Sequence, residues 1–342
     1  MKKQQVLNCT LSSWYNQFKD ITIKSRIIPI PDEVLQYLLA DGLVLPEGSL
    51  PPDGNSCRRD SDDETEWDTT TSVNQAPSFP KFQEAVKNAI KALGGSVLPK
   101  LNWSSPKDAT WIAATNTMKC TSPADVFLLL KSSDFVSHDL TQPFERCSDW
   151  DGEEKPDIKY ELVLRKWHDI SPGGEFRCFV VNNKLTGISQ RHHSCFFPHI
   201  LEQDEAIVED ILEFFENSIQ GKFADDSFVF DVYRKSERKV YLLDFNPFCE
   251  TTDGLLFEWN EFLGEDSLAQ SNVEELPVFR FIKTPCGVQP NPLQRYGMPA
   301  DFLHLSTGQD PHKLVDFLNL KIQSAEDSDS SDDDQESNKA VT

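Results

Sequence analysis

Apolar residues recur along this chain first with a helical period and later with a strand period. Leu11, Trp14, Tyr15 and Phe18 fall on one helical face, and that aromatic face is predicted to dock on the protein's own core. The stretch from Ile21 to Ile30 is extended and ends between Pro29 and Pro31, and Asp32 to Ala40 follows as a second amphipathic helix. Phe82, Val86, Ile90 and Leu93 share the face of a third helix, which Gly94-Gly95 terminates before a strand over Ser96 to Leu101. Ser122-Pro123 opens another helix, with serine as the cap and proline at the first position. Three strand-rich blocks come next, Tyr160–Trp167, Glu175–Gln190 and Phe228–Phe248, the last two reading as hairpins. A helix from about Gln203 to Ile219 separates those hairpins, and Asp310-Pro311 begins a final helix through Leu320. The expected class is α+β, with antiparallel strands and helices in two lobes.

Charge divides the 342 residues further. The net charge is −23, and residues 46–80 and 324–342 carry −6 each, leaving −11 for the rest. The expected organisation is an N-terminal segment packed on the fold (1–45), a disordered acidic loop (46–76), the main domain (77–323) and a disordered acidic tail (324–342). Ser61, ahead of Asp62-Asp63-Glu64, is a candidate for phosphorylation by an acid-directed kinase. So acidic a chain lacks the basic face that nucleic acid requires. The longest apolar run, Val126–Leu130, falls far short of the ~20 residues of a membrane span. Lys2 and Lys3 are not followed by an apolar stretch, so no secretory signal is expected. The eight cysteines stand singly, with no CxxC pair, which fits a reducing compartment and a cytoplasmic protein. The sequence does not reveal the oligomeric state, and a monomer is assumed.

The strongest chemistry lies in the last hairpin. Reading Ser236-Glu237-Arg238-Lys239 as a four-residue loop pairs 235 with 240, 233 with 242 and 231 with 244. Asp231 and Asp244 then face each other, Asn246 joins them, and Phe228, Phe230, Tyr241, Leu243 and Phe245 lie on the opposite, buried face. Two like charges across a strand pair repel, so a cation should offset them. Hard oxygen ligands favour magnesium carrying phosphate, and the competing reading is a salt-bridge network with nearby Lys or Arg. Basic candidates for the phosphates are Lys100 at a strand end, Arg165 and Lys166 beside Trp167, Arg177 in mid-strand near Glu175, and Arg191 after the second hairpin. His192 and His193 are adjacent on a strand and point to opposite faces, so they do not share an ion. Neither a P-loop nor a Gly-x-Gly-x-x-Gly motif occurs.

A lysine strand, a hinge strand, an arginine strand and a terminal Asp…Asp-x-Asn together resemble the ATP-grasp fold. The stretches Pro99–Ser104, Tyr160–Trp167, Glu175–Val180, Gly187–Arg191 and Leu243–Phe248 are similar to those of the cell division cycle protein 123 family, as are Thr22–Ser25 and Leu305–Gly308. The resemblance implies an ATP-grasp clamp used by an assembly chaperone rather than by an enzyme with turnover. Its implied partner is the gamma subunit of eukaryotic translation initiation factor 2, whose heterotrimer it helps to form, in support of translation initiation and cell-cycle progression. Carried over by motif, Lys100 touches phosphate, and Trp103 and Ser105 lie in the loop over ATP. Arg165, Lys166 and Trp167 form the adenine hinge, Arg177 and Arg191 bind phosphates, and Asp231, Asp244 and Asn246 hold Mg2+. The alternative is an ATP-dependent carboxylate–amine ligase, the usual activity of ATP-grasp proteins.

Overall fold

The N-terminal aromatic face does bury itself in the molecule. In the computed structural model, which describes residues 1–49, 76–152, 158–264, 268 and 276–290, helices α1 (Lys3–Asn8) and α2 (Leu11–Phe18) open the chain. Leu11, Trp14 and Phe18 are at most 2% exposed, and the rings of Trp14 and Phe18 lie 5.2 and 5.3 Å from Phe245. Strand β1 (Ser25–Pro29) and helix α3 (Asp32–Leu39) follow.

Helix α4 (Pro80–Ala92) buries Phe82, Val86 and Ile90, with Leu93 at its cap, and leads into β2 (Val97–Lys100). Gly94 and Gly95 take φ of +98° and +89°, a left-handed step that stops the helix and that other residues adopt only with strain. Helix α5 (Pro123–Lys131) starts as expected, with the Ser122 hydroxyl accepting from the Asp125 N–H at 3.2 Å. Helix α6 (Asp134–Thr141) and strand β3 (Glu161–Lys166) complete this half. The three strands form a sheet in the order β1-β3-β2, antiparallel throughout. Leu162 and Leu164 of β3 pack with α4 and α5 on one face, while Val163 joins the core on the other.

The second half supplies β4 (Glu175–Val181), β5 (Lys184–Gln190), α7 (Pro198–Glu202), α8 (Asp204–Ser218), β6 (Phe228–Ser236), β7 (Lys239–Pro247), α9 (Asn260–Leu263) and β8 (Val278–Arg280). Its sheet runs β7-β6-β4-β5-β8. The first four strands are antiparallel, as predicted for this α+β class, whereas β8 lies parallel to β5. Ile207, Ile211 and Phe215 of α8 cover one face together with α2. Among the described residues no helix is long and apolar enough to cross a membrane. The predicted acidic loop, the helix from Asp310 to Leu320, the acidic tail and Ser61 lie outside the described residues, apart from loop positions 46–49 and 76.

The β6–β7 hairpin departs from its expected register in an instructive way. Ser236 pairs with Lys239 around a two-residue turn, Glu237-Arg238, with Arg238 at φ +58°. Lys235 then bulges out of β6 and Leu243 out of β7, so 233 faces 241 rather than 242. The two extra residues cancel, and Asp231 still faces Asp244. Between the bulges the phase of β7 is inverted: Leu242 is fully buried, Tyr241 is 39% exposed and Leu243 is half-buried, contrary to the expected inner face. Bonds to other segments hold the bulge in place. Leu242 donates to the Ile21 carbonyl at 2.8 Å and accepts from the Thr22 hydroxyl at 2.7 Å, and the Leu243 carbonyl accepts from Arg165 at 2.6 Å. Leu242→Ala is therefore expected to lower stability by about 3 kcal/mol and Tyr241→Ala by less than about 1. Urea denaturation of both variants measures the difference, and the uninterrupted register would reverse their order.

Candidate functional site

A single row of side chains crosses the larger sheet. Ser189 on β5 faces Arg177 on β4, Arg177 faces Asp231 on β6, and Asp231 faces Asp244 on β7. Arg177 binds Asp231 through both ends of its fork, Nε to Oδ1 at 2.8 Å and Nη2 to Oδ2 at 2.8 Å. Its third donor, Nη1, reaches the Asp253 carbonyl at 2.8 Å. Arg191 Nε lies 3.7 Å from Asp231 Oδ2, and Asn246 Nδ2 lies 3.5 Å from the same oxygen. Lys100, only 3% exposed, crosses from the smaller sheet to bond Asp244 Oδ2. Asp244 Oδ1 is buried and has no hydrogen-bond partner. The cations expected opposite the carboxylates are thus side chains of the chain itself, as in the competing salt-bridge reading, and one carboxylate oxygen remains uncommitted.

Four cations, Lys100, Lys107, Arg177 and Arg191, crowd beside Asp231 and Asp244, with Glu175 and Asp253 as further acidic neighbours. Burial opposes the ionisation of Asp231, yet Arg177 and Arg191 outweigh it and hold its carboxyl well below the usual carboxylate range. Repulsion from Arg191, with burial, pulls the Lys107 ammonium down to about 8. Crowded cations of this kind accommodate a multiply charged anion, which would relieve their mutual repulsion.

Comparisons with known proteins agree with the sequence resemblance. The D123 family model matches residues 14–306. A Xenopus tropicalis protein called translation initiation factor eIF2 assembly protein is 50% identical over 96% of this chain and 100% of its own length. A Dictyostelium discoideum protein of the same description is 36% identical, covering 92% of this chain and 96% of that protein. The structure of Cdc123 from Schizosaccharomyces pombe superposes with a TM-score of 0.68 at 37% identity, covering 83% of this chain and 99% of that one. The chain belongs to the D123 family.

Within this family member, the predicted site residues separate into two groups. Lys100, Arg177, Arg191, Asp231, Asp244 and Asn246 converge. The others occupy the margins. Trp103 donates from Nε1 to the Val6 carbonyl at 2.8 Å and packs on Phe144, so its ring anchors the loop to the N-terminal helix. Ser105 is half-buried, and its carbonyl accepts from the Lys107 N–H at 2.8 Å. Arg165 is buried and fastens the two sheets together, with Nη1 on the Leu243 carbonyl and Nη2 on the Thr22 hydroxyl at 3.1 Å. Lys166 is exposed, and Trp167 Nε1 donates to Asp169 at 3.1 Å. His192 bonds Glu175 at 3.0 Å, which leaves Arg177 to Asp231.

Lys107 went unread in the sequence. It sits on a short 3-10 turn, Lys107–Ile112, where no strand alternation marks which way a side chain faces. The one available signal was its position in the polar loop that follows Lys100.

The donor set fits magnesium. Two carboxylates and a side-chain amide offer only oxygen to a metal, and Asp244 Oδ1 is an orphaned buried acceptor. Among the described residues no three His, Cys, Asp or Glu side chains form a metal cage. The fit is to an ion completed by other oxygens, as magnesium on a phosphate chain is.

Proposed function

We propose that this chain binds ATP with Mg2+ between its two sheets, in an ATP-grasp clamp. In that state it would assist assembly of eukaryotic translation initiation factor 2 through that factor's gamma subunit. The observation that carries the nucleotide reading is the cluster of four cations beside the uncommitted Asp244 oxygen. Lys100, Lys107, Arg177 and Arg191 bind the phosphates, while Asp231, Asp244 and Asn246 hold the metal. Magnesium, when bound, offsets phosphate charge. Arg165 and Lys166 end β3, Trp167 follows them, and the three would border the adenine end. The assembly reading is supported by relatives of that description, one of them 50% identical over its whole length.

The nucleotide would act as part of the binding-competent structure. The test is the affinity of the full-length protein for isolated initiation factor 2 gamma subunit, with and without Mg–ATP. Binding is expected, strengthened by nucleotide. Failure to bind in both conditions overturns the assembly role. Steady ATP consumption with a carboxylate and an amine acceptor would establish the ligase alternative instead.

A further inference from the structure

The loop that carries Lys107 is tied to helix α6 at both ends by buried carboxylates. Asp139, on α6, accepts from the Ser104 N–H at 2.7 Å, the Ser104 hydroxyl at 2.8 Å and the Trp103 N–H at 3.4 Å. Asp108, the residue after Lys107, accepts from the Ser133 hydroxyl at 2.6 Å and from the N–H groups of Asp134 and Phe135 at 2.7 and 3.3 Å, where α6 begins. Each aspartate is 4% exposed. The bonds run in opposite directions: the helix holds the start of the loop, and the end of the loop holds the helix.

Burying a carboxylate is unfavourable unless its hydrogen bonds are worth the desolvation. The start of α6 already has a cap in Ser133, which accepts from the Val136 N–H at 3.2 Å. Ser133 satisfies only that one N–H, so Asp108 completes the cap at Asp134 and Phe135 and, because it lies next to Lys107, also fixes the distance between α6 and Lys107. Between the two anchors, the Lys107 N–H closes a turn onto the Ser105 carbonyl. Lys107 is thereby directed into the field of Arg191, Asp231 and Glu175 on the other sheet.

We propose that Asp108 and Asp139 are positioning residues, which clamp the 103–108 loop to α6 and so direct the Lys107 ammonium at the ligand's phosphates without touching the ligand. The inference rests on the nucleotide reading of the cleft. Calorimetric titration of full-length protein with Mg–ATP, in a double-mutant cycle, tests it. Lys107→Ala is expected to weaken binding about tenfold, and Asp108→Ala or Asp139→Ala about three- to tenfold. In the Lys107→Ala background either aspartate substitution should cost less than about twofold, because the group through which it acts is gone. Asp108→Asn and Asp139→Asn keep an oxygen for the N–H donors and an N–H for the serine hydroxyl, and should bind within about twofold of wild type. A role exerted through charge on neighbouring Lys100 would not be rescued in this way.

Additive losses, or failure of the asparagine variants to restore binding, overturn the proposal. Thermal melting identifies any alanine variant that fails to fold. In that event Ser104→Ala, which removes one bond to Asp139, must show a smaller loss that also vanishes without Lys107. Wild-type protein that binds no Mg–ATP overturns the nucleotide reading and this inference with it, whereas wild-type binding with additive losses overturns this inference alone.

Discussion

Asp244→Ala is expected to weaken Mg–ATP binding at least about a hundredfold while costing only about 1–2 kcal/mol of stability. The two halves of that expectation have separate causes. Asp244 presents one oxygen to Lys100 and keeps the other buried without a partner. An unsatisfied buried acceptor costs about 1–3 kcal/mol, so its removal relieves the free protein of a penalty even as a salt bridge is lost. Its side chain is 21% exposed, and Lys100 retains Asp139 as a second acidic neighbour, which limits the loss. Binding has no such compensation, because the orphaned oxygen is the atom best placed to receive a metal. Asp244→Asn keeps an oxygen but no charge and should fall in between. Titration calorimetry with Mg–ATP, beside thermal melting, measures both quantities. Repeating the titration with ATP and a chelator adds a sharper check: the gap between wild type and variant should shrink when magnesium is absent. Unchanged affinity in Asp244→Ala would refute the site.

The carboxylate pair was legible in the sequence because strand alternation is rigid and its errors can cancel. Lys235 and Leu243 each add a residue, one to each strand, so counting from a wrong loop still brought Asp231 opposite Asp244. The same count assigned Tyr241 and Leu243 inward, and they are not. Nothing local marks a bulge whose carbonyl is held by Arg165, 78 positions earlier. The N-terminal helix was legible for a similar reason, since Leu11, Trp14 and Phe18 repeat with its turn, but the bonds from Thr22 to Leu242 and Arg165 that join the halves are non-local. Trp103 and Arg165 were read from motif, which identifies a residue and not its rotamer. Here both are committed to holding segments together. Lys107 had neither period nor motif, and only the fold brings it to Arg191 and Asp231.

Asp231 stands beside Asp244 in the row yet should behave differently when removed. It is 7% exposed, and both its oxygens are engaged by Arg177, itself 4% exposed. Asp231→Ala leaves a buried guanidinium unpaired, with Arg191 close by, and is expected to cost about 3–5 kcal/mol. Replacing both partners, as in Asp231→Leu with Arg177→Met, removes the unpaired charge and should recover much of that loss, so the double variant is more stable than the sum of the single effects predicts. The acid limb offers an independent reading in nucleotide-free protein. The folded carboxyl titrates below its unfolded value of about 3.9, so the unfolded chain takes up this proton first as pH falls. The stability it contributes is fully present above that pH and is lost below it. Asp231→Asn has no such group, and its stability should fall less steeply than that of wild type as pH drops below about 4. Urea midpoints between about pH 3 and 6, which span the onset of the loss near pH 4, compare the two slopes. Parallel acid limbs, or an Asp231→Ala loss below about 1 kcal/mol, would mean that the Arg177 pair contributes little to folding. In that case the row would be held by the surrounding Phe and Val packing, and Asp231 would serve only the ligand.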